Sequence, residues 1–241
     1  MKRAAQSSHT RRLIAAAFSM LVGVLTPTLC AAQTLLGVVA ITVEPEHKIR
    51  FDNGRVRMYE VKASKGKATL MHEHRADSFN VFFRAAQITN ERYGEQPVVV
   101  NISAGQVGFA STAKGPYSHR VSVSGDETFH VMALELMSPP AVPSTTVPRP
   151  GSAFKVALEN PRGRVYRITL APGETTDVFT RPPGTAVFAI STGRISENIE
   201  GGSARLWDFD SGHFKWVDTN QRLTVKNEGM TPIELVEVEV Y

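Results

Sequence analysis

The sequence contains very little cysteine, and its one cysteine, Cys30, lies near the amino terminus. A disulfide needs two cysteines, so the chain forms none within itself. Residues 1–32 carry basic residues, then an apolar run and a small-residue segment, which is the layout of a secretory signal peptide cleaved after Ala32. Cleavage there also removes Cys30. This excludes a thiol nucleophile from the exported protein.

Outside this segment the basic and acidic residues balance. The chain has 27 Lys and Arg against 23 Asp and Glu, and four of the basic residues lie in residues 1–32, which leaves 23 of each sign. The charge balance therefore gives no reason to expect that the protein binds nucleic acid. The apolar run at residues 13–25 is short and rich in alanine, so we expect no stable membrane anchor. The protein is expected to be periplasmic or secreted.

The export route stays open between two alternatives. The segment "TRRLIA" at residues 10–15 resembles a twin-arginine signal, which carries proteins that are already folded. Paired arginines also serve as the basic region of an ordinary secretory signal. The sequence alone does not choose between these routes.

Helical periodicity is missing from the rest of the chain. No stretch after residue 32 keeps a helical pattern of apolar residues for three turns. Short runs rich in Val and Phe, such as "RVRMYEV" and "FHVMALEL", are instead separated by Gly, Asp or Lys turns. This pattern predicts an all-β protein built from two sandwiches or barrels.

Proline divides the chain into two halves. Five prolines fall in residues 138–151, which predicts a stiff, extended connector. The predicted organisation is a signal peptide at 1–32, a first barrel at 33–137, the connector at 138–151 and a second barrel at 152–241. The halves also repeat, because residues 51–72 align with 158–179 at an offset of 107. Residues 119–126 then align with 221–228, with five extra residues in the first half.

One histidine pattern in the first half raises the question of function. In "MHEHRADSFNVFF", at residues 71–83, His72 and His74 are two residues apart. Alternate residues of a strand point the same way, so the two imidazoles share one face. They are either metal ligands or ordinary residues that share a face. His47, His130 and His213 each stand alone, and we expect them to be structural or surface residues.

The segments around these histidines resemble a known family. "GKATLMHEH" at residues 66–74 resembles the first cupin motif, and "GQVGFASTAKGPYSHRVSVSGDE" at residues 105–127 resembles the second. With the repeat, residues 45–241 resemble a bicupin. The resemblance implies two antiparallel jelly-roll barrels in tandem, with a metal on His72, His74 and His119 inside the first. The glutamate of the family motif falls on Ser78, so this ligand is missing.

The resemblance implies one divalent transition metal, either Fe, Zn, Ni, Mn or Cu. Three imidazoles leave open coordination positions for water or substrate, so a three-histidine site is chemically reasonable without the glutamate. Asp77, either directly or as a partner that orients a histidine, and Ser78, acting through water, are the candidate catalytic residues for proton transfer.

The second half carries no metal ligands at the corresponding positions, which the alignment assigns to Phe179, Arg181, Thr185 and Gln221. We expect this barrel to be free of metal and to cover strand edges of the first one. An alternative is a polar pocket in which Arg181 and Gln221 bind an anion. A third interpretation places Arg181 in a turn, with its side chain in solvent.

These patterns leave three functions open. The first is a metal-dependent enzyme acting on a small molecule, of oxygenase, isomerase or lyase type. The second is a non-catalytic periplasmic protein that binds a small ligand or a metal. The third is a structural protein with buried, metal-free histidines. The expected partner is a small-molecule ligand or substrate, and a homodimer is left open.

Overall fold

The structure is a computed structural model that describes residues 37–142 and 147–241. The predicted signal peptide at residues 1–32 lies outside these residues. The described residues form nineteen strands and one 3-10 turn, Ile41–Val43, with no α-helix. The all-β class predicted from the sequence is confirmed. Within the same residues, no helix is long and apolar enough to cross a membrane.

The first lobe, residues 39–136, consists of two five-stranded sheets, ordered β1-β4-β9-β6-β7 and β2-β3-β10-β5-β8. Its strands are β1 (Val39–Ala40), β2 (His47–Asp52), β3 (Val56–Ala63), β4 (His72–His74), β5 (Ser78–Phe82), β6 (Ala86–Arg92), β7 (Val98–Ile102), β8 (Val107–Ala110), β9 (Tyr117–Val123) and β10 (Phe129–Leu136).

The second lobe, residues 154–240, has a five-stranded sheet ordered β11-β12-β19-β14-β17 and a four-stranded sheet ordered β13-β18-β15-β16. Its strands are β11 (Phe154–Asn160), β12 (Gly163–Leu170), β13 (Phe179–Arg181), β14 (Thr185–Ala189), β15 (Gly193–Ile199), β16 (Arg205–Phe209), β17 (Phe214–Val217), β18 (Gln221–Asn227) and β19 (Ile233–Val240).

The strand positions confirm the repeat and correct its last part. The first and last residues of β3 to β8 correspond to those of β12 to β17 at an offset of 107 residues. Strands β9 and β10 correspond to β18 and β19 at an offset of 104. The first lobe therefore carries three extra residues between these parts. The five predicted from the sequence are wrong.

Strand register shows the consequence for the site residues. His72 pairs with His119 in the first lobe, and Phe179 pairs with Leu223 in the second. The residue that corresponds to His119 is therefore Leu223, and Gln221 corresponds to Tyr117 in the same register. The error had a physical reason. A slip of two residues keeps every side chain on its own face of the strand, so the alternation pattern is the same in both alignments.

The two lobes pack through the faces of their central sheets. One apolar cluster includes Met132 and Leu134 of β10 together with Val236 and Val238 of β19. All eight residues of β10 are buried, because one face lines the interior of its own lobe and the other contacts the second lobe. The second lobe thus covers a sheet face of the first lobe. The expectation that it covers strand edges does not describe this packing.

Candidate metal centre

The histidine cluster is built by two neighbouring strands. Gly66 precedes the first of these strands, in a turn with a φ of 77° that side-chain-bearing residues rarely adopt. Strand β4 then places His72 and His74 on one face, and β9 pairs with it so that His72 stands directly opposite His119. The His74 Nε2 atom lies 3.1 Å from the His72 Nε2 atom and 3.0 Å from the His119 Nε2 atom. The structure therefore brings together the three histidines that the sequence singled out.

Two neighbouring oxygens set the tautomers of the outer histidines. The Nδ1 atom of His72 donates to the backbone oxygen of Leu70 at 2.8 Å, and the Nδ1 atom of His119 donates to the Oδ1 atom of Asn90 at 2.8 Å. A neutral imidazole has one proton on its ring nitrogens. The Nε2 atoms of His72 and His119 are therefore bare lone pairs that face the cluster centre.

The middle histidine does not satisfy both neighbours. If the ring proton of His74 is on Nε2, it reaches only one of the two facing lone pairs. If the proton is on Nδ1, three lone pairs converge, and Nδ1 is buried with no hydrogen-bond partner among the described residues. The first tautomer leaves one buried lone pair without a donor, and the second leaves lone pairs facing each other at about 3 Å, so each costs free energy in a buried site.

Protonation does not relieve this repulsion near neutral pH. Burial, together with the neighbouring imidazoles, lowers the pKa of His72 to about 4, of His74 to about 2 and of His119 to about 3. His72 is fully buried and His74 is 5% exposed, so water hydrates neither ring well. All three rings are neutral at pH 7, which is the form that binds metals.

The residues present fit a divalent transition metal. Nitrogen ligands about 2.0–2.1 Å from one ion lie about 2.8–3.4 Å apart, the range from facial octahedral to tetrahedral angles. The observed separations of 3.1 and 3.0 Å lie in this range. A cation at the convergence point would accept all the lone pairs. The bonds from the Nδ1 atoms to Leu70 and Asn90 are also the second-shell contacts that orient metal-bound histidines.

The cluster opens onto a cavity of about 250 Å³ inside the first lobe. Its polar wall includes Asn80, Asn90, Arg92, Gln106 and Tyr117. The remaining wall is apolar and comes from both sheets, including Val61, Phe82, Ile88, Val100, Ile102, Val121, Phe129 and Val131. A cavity of this size suits a small molecule, since pockets for drug-sized ligands are about 300–1,000 Å³.

The two candidate catalytic residues, Asp77 before β5 and Ser78 at its start, are not part of this cluster. The Asp77 Oδ1 atom accepts hydrogen bonds from the backbone nitrogen and hydroxyl of Thr112, and its Oδ2 atom lies 3.3 Å from the Nε atom of Arg162 in the second lobe. Ser78 is buried, and its hydroxyl accepts a long hydrogen bond from Asn80. A proton-transfer role for Asp77 and Ser78 stays a prediction.

Sequence reasoning missed His47, which it expected to be structural or at the surface. This residue lines the cavity, and its ring centroid lies 4.5 Å from that of His72. Its Nδ1 atom bonds the carboxylate of Glu44 at 2.5 Å, although burial still lowers the pKa of His47. The available signal was strand alternation, because His47 pairs with the cavity residue Val61 on the neighbouring strand.

In the second lobe, an arginine occupies the position that corresponds to His74. Arg181 is fully buried, and its guanidinium donates to the carboxylates of Glu197 and Glu237. Burial alone would raise the pKa of Glu237, but the charges of Arg181 and Arg149 lower it to about 2. Arg181 is therefore neither in solvent nor free to receive an anion. Ion pairs with the two glutamates occupy this guanidinium inside the lobe.

Comparison with known proteins identifies the fold. AerE from Microcystis aeruginosa matches 82% of this chain and 98% of its own, at 11% identity and a TM-score of 0.55. Oxalate decarboxylase from Bacillus subtilis at pH 4.6 matches 77% of this chain and 68% of its own, at 12% identity and a TM-score of 0.51. The chain has the cupin fold. No protein-family profile and no curated protein matches the sequence.

The cupin fold confirms the bicupin resemblance that the sequence motifs suggested. Sequence identity to these structures is too low for their activities to be assigned to this chain, because one fold hosts many chemistries. The fold nevertheless explains where the site lies. The three histidines lie inside the first barrel of this fold next to a cavity, and they form a group able to hold a metal ion.

Proposed function

We propose that this protein is an exported cupin metalloenzyme that acts on a small molecule in the first barrel. One observation carries the metal assignment: two of three converging imidazoles have their Nδ1 protons held by oxygens, so that lone pairs face one point. A divalent ion bound there would supply Lewis-acid or redox chemistry to a substrate oxygen or to water. His72, His74 and His119 would hold it.

The chain's own residues provide the rest of the active site. Asn80, Gln106 and Arg92 present hydrogen-bond donors to the cavity next to the histidines, and the Arg92 guanidinium lies 5.0 Å from the centre of the Tyr117 ring. These groups would orient a polar substrate. The apolar wall would exclude water and strengthen these contacts. Reaction types such as oxygenase, isomerase or lyase are all compatible with this arrangement.

The competing function is a non-catalytic binding protein. Such a protein can fill its barrel with apolar side chains, whereas an enzyme needs polar groups beside open coordination positions. The polar wall of the cavity favours the enzyme. Of the three phenylalanines that follow the histidines, Phe79 and Phe83 pack into the cluster between the lobes, and only Phe82 lines the cavity.

Elemental analysis tests the metal assignment. Residues 33–241 would be purified without chelator or affinity tag, and compared with a variant carrying His72→Ala and His74→Ala. A His213→Ala variant is the matched control, because His213 is an exposed histidine outside the cavity. We expect about one metal ion per chain in the wild type and the control, and none in the double variant.

The outcomes separate the functions. Fe or Cu would favour redox chemistry, and Zn would favour hydrolytic or lyase chemistry. No metal in the wild type, even after loading with Fe²⁺, Zn²⁺ or Ni²⁺, would overturn the metalloenzyme proposal. Export is proposed from the residue pattern of 1–32. Cell fractionation of the full chain, with Arg11→Lys and Arg12→Lys as the twin-arginine test, would reveal its location and route.

A further inference from the structure

A buried glutamate lies inside the first barrel and has no role in the site described so far. Glu135 is on β10, where Val131 and Ala133 point into the cavity. Alternate residues of a strand share a face, so Glu135 points into the same interior. It is 3% exposed. The chain thus places a carboxylate in the barrel that contains the histidines.

This carboxylate has no partner within the described part of the chain. Neither a hydrogen bond nor an ion pair to its side chain is found there. Arg57 is its neighbour on β3, but the guanidinium of Arg57 is bound to Asp52 and the hydroxyl of Tyr59. Burial accordingly raises the pKa of Glu135 to about 7, despite the nearby charge of Arg57. A buried carboxylate of this kind is costly unless a cation approaches it.

The position of Glu135 matches the gap in the cupin motif. Strand β10 pairs with β5 so that Glu135 stands directly opposite Ser78, the position where the motif has its glutamate. Directly opposed residues on one face of an antiparallel pair have Cβ atoms about 4.5–5.5 Å apart. A carboxylate on either residue therefore enters the same layer of the barrel. A glutamate side chain is missing from β5 at this position and present on the neighbouring strand β10.

The second lobe shows how such a glutamate is neutralised when no metal site is present. Glu239 stands opposite Thr185 on the corresponding strand pair, which makes it the counterpart of Glu135. Its carboxylate accepts from Arg149 at 2.8 Å, and that arginine enters from the connector. No arginine fills this role for Glu135 among the residues that the structure describes. The described residues thus leave Glu135 without the kind of ion pair that Glu239 forms with Arg149.

We propose that Glu135 supplies, from the opposite strand, the carboxylate that the motif would place at residue 78, and that it takes part in binding the divalent ion. This inference rests on the proposed metal function of His72, His74 and His119. It goes further by naming a residue outside both sequence motifs. The ion would in turn be the cation that a buried carboxylate in this barrel requires.

Titration of the metal-free protein with Co²⁺ tests the proposal, because the visible absorption of Co²⁺ reports on its ligands. We expect Glu135→Gln to weaken Co²⁺ affinity about 10- to 100-fold, the usual range for a supporting partner of a metal site, and to change the spectrum. Moving the carboxylate across the strand pair, in the double variant Ser78→Glu/Glu135→Gln, should restore affinity. Glu127→Gln, at an exposed glutamate outside the cavity, is the matched control and should bind like the wild type.

Thermal unfolding of each metal-free variant would establish that it is folded. Wild-type affinity and an unchanged spectrum in a folded Glu135→Gln variant would overturn the inference and leave the three-histidine site intact. Weaker binding that the double variant does not rescue would also overturn it, since a carboxylate at residue 78 should then suffice. No Co²⁺ binding by the wild type would overturn the metal function and the inference together.

Discussion

Glu135→Gln in the metal-free protein gives the most direct measure of what the buried carboxylate costs. Glutamine has nearly the shape of protonated glutamate and carries no charge. Burial raises the pKa of Glu135 from an ordinary 4.5 to about 7, against the opposing effect of Arg57, and the charge of Asp52 adds to the rise. Burial also raises the pKa of Tyr59 and Tyr117, which face this carboxylate, and its charge adds to both shifts.

The sign follows from proton binding. Between pH 4.5 and 7 the folded chain keeps the Glu135 proton and the unfolded chain has lost it, so stability falls as pH rises through this window. At pH 8.5 Glu135 is ionised in both states, and the full pKa shift lowers the free energy of unfolding by about 3 kcal/mol. Each unit of pKa corresponds to about 1.36 kcal/mol. At pH 5 the cost is about 1 kcal/mol. We expect the variant to be more stable than the wild type by these amounts.

Urea unfolding followed by circular dichroism, with chelator present, measures the difference at each pH. The histidines of the cluster also lower stability at acid pH, because their pKa values are depressed in the folded state, but this effect is common to both proteins and cancels. A stability difference that does not change between pH 5 and pH 8.5 would refute the reasoning. So would a variant that is less stable than the wild type at pH 8.5.

Three further substitutions test other contacts. Asn90→Ala removes the acceptor that orients His119 and should weaken metal affinity about 10- to 100-fold; unchanged affinity by competition with a chromophoric chelator would contradict this. Arg181→Met leaves Glu237 with one arginine in place of two, and should lower the free energy of unfolding by about 3 kcal/mol while metal content stays the same. Asp77→Ala leaves the donors of Thr112 and Arg162 without their acceptor. It should lower the free energy of unfolding in urea by about 1–3 kcal/mol. Loss of metal binding in this variant would show that the role of Asp77 extends beyond its contacts with Thr112 and Arg162.

Several features could be predicted from the sequence because they depend on local backbone geometry. Residues two apart in a strand point the same way, so the shared face of His72 and His74 follows from their spacing alone. Alternating runs separated by turn residues likewise specified strands, and the repeat specified two lobes of similar strand order. The resemblance of the motifs to those of cupins added His119, which lies far away along the chain.

Other features depend on which strands become neighbours, and spacing along one strand carries no information about that. Alternation placed His119 on the right face but left its alignment with the second lobe uncertain by two residues. The opposition of Glu135 to Ser78 arises from pairing between segments 57 residues apart. The same holds for Asn90 on β6, whose side chain accepts a hydrogen bond from His119 on the neighbouring strand β9.

The contrast between the two barrels shows where the sequence stops and the tertiary structure begins. The sequence alone determined that the second barrel lacks histidines at the site, because residue types can be read directly. Only the packed chain decided that Arg181 is buried among glutamates and that Glu135 has no such partner among the described residues. The cost of a buried charge depends on every group around it, and those groups are assembled from distant segments.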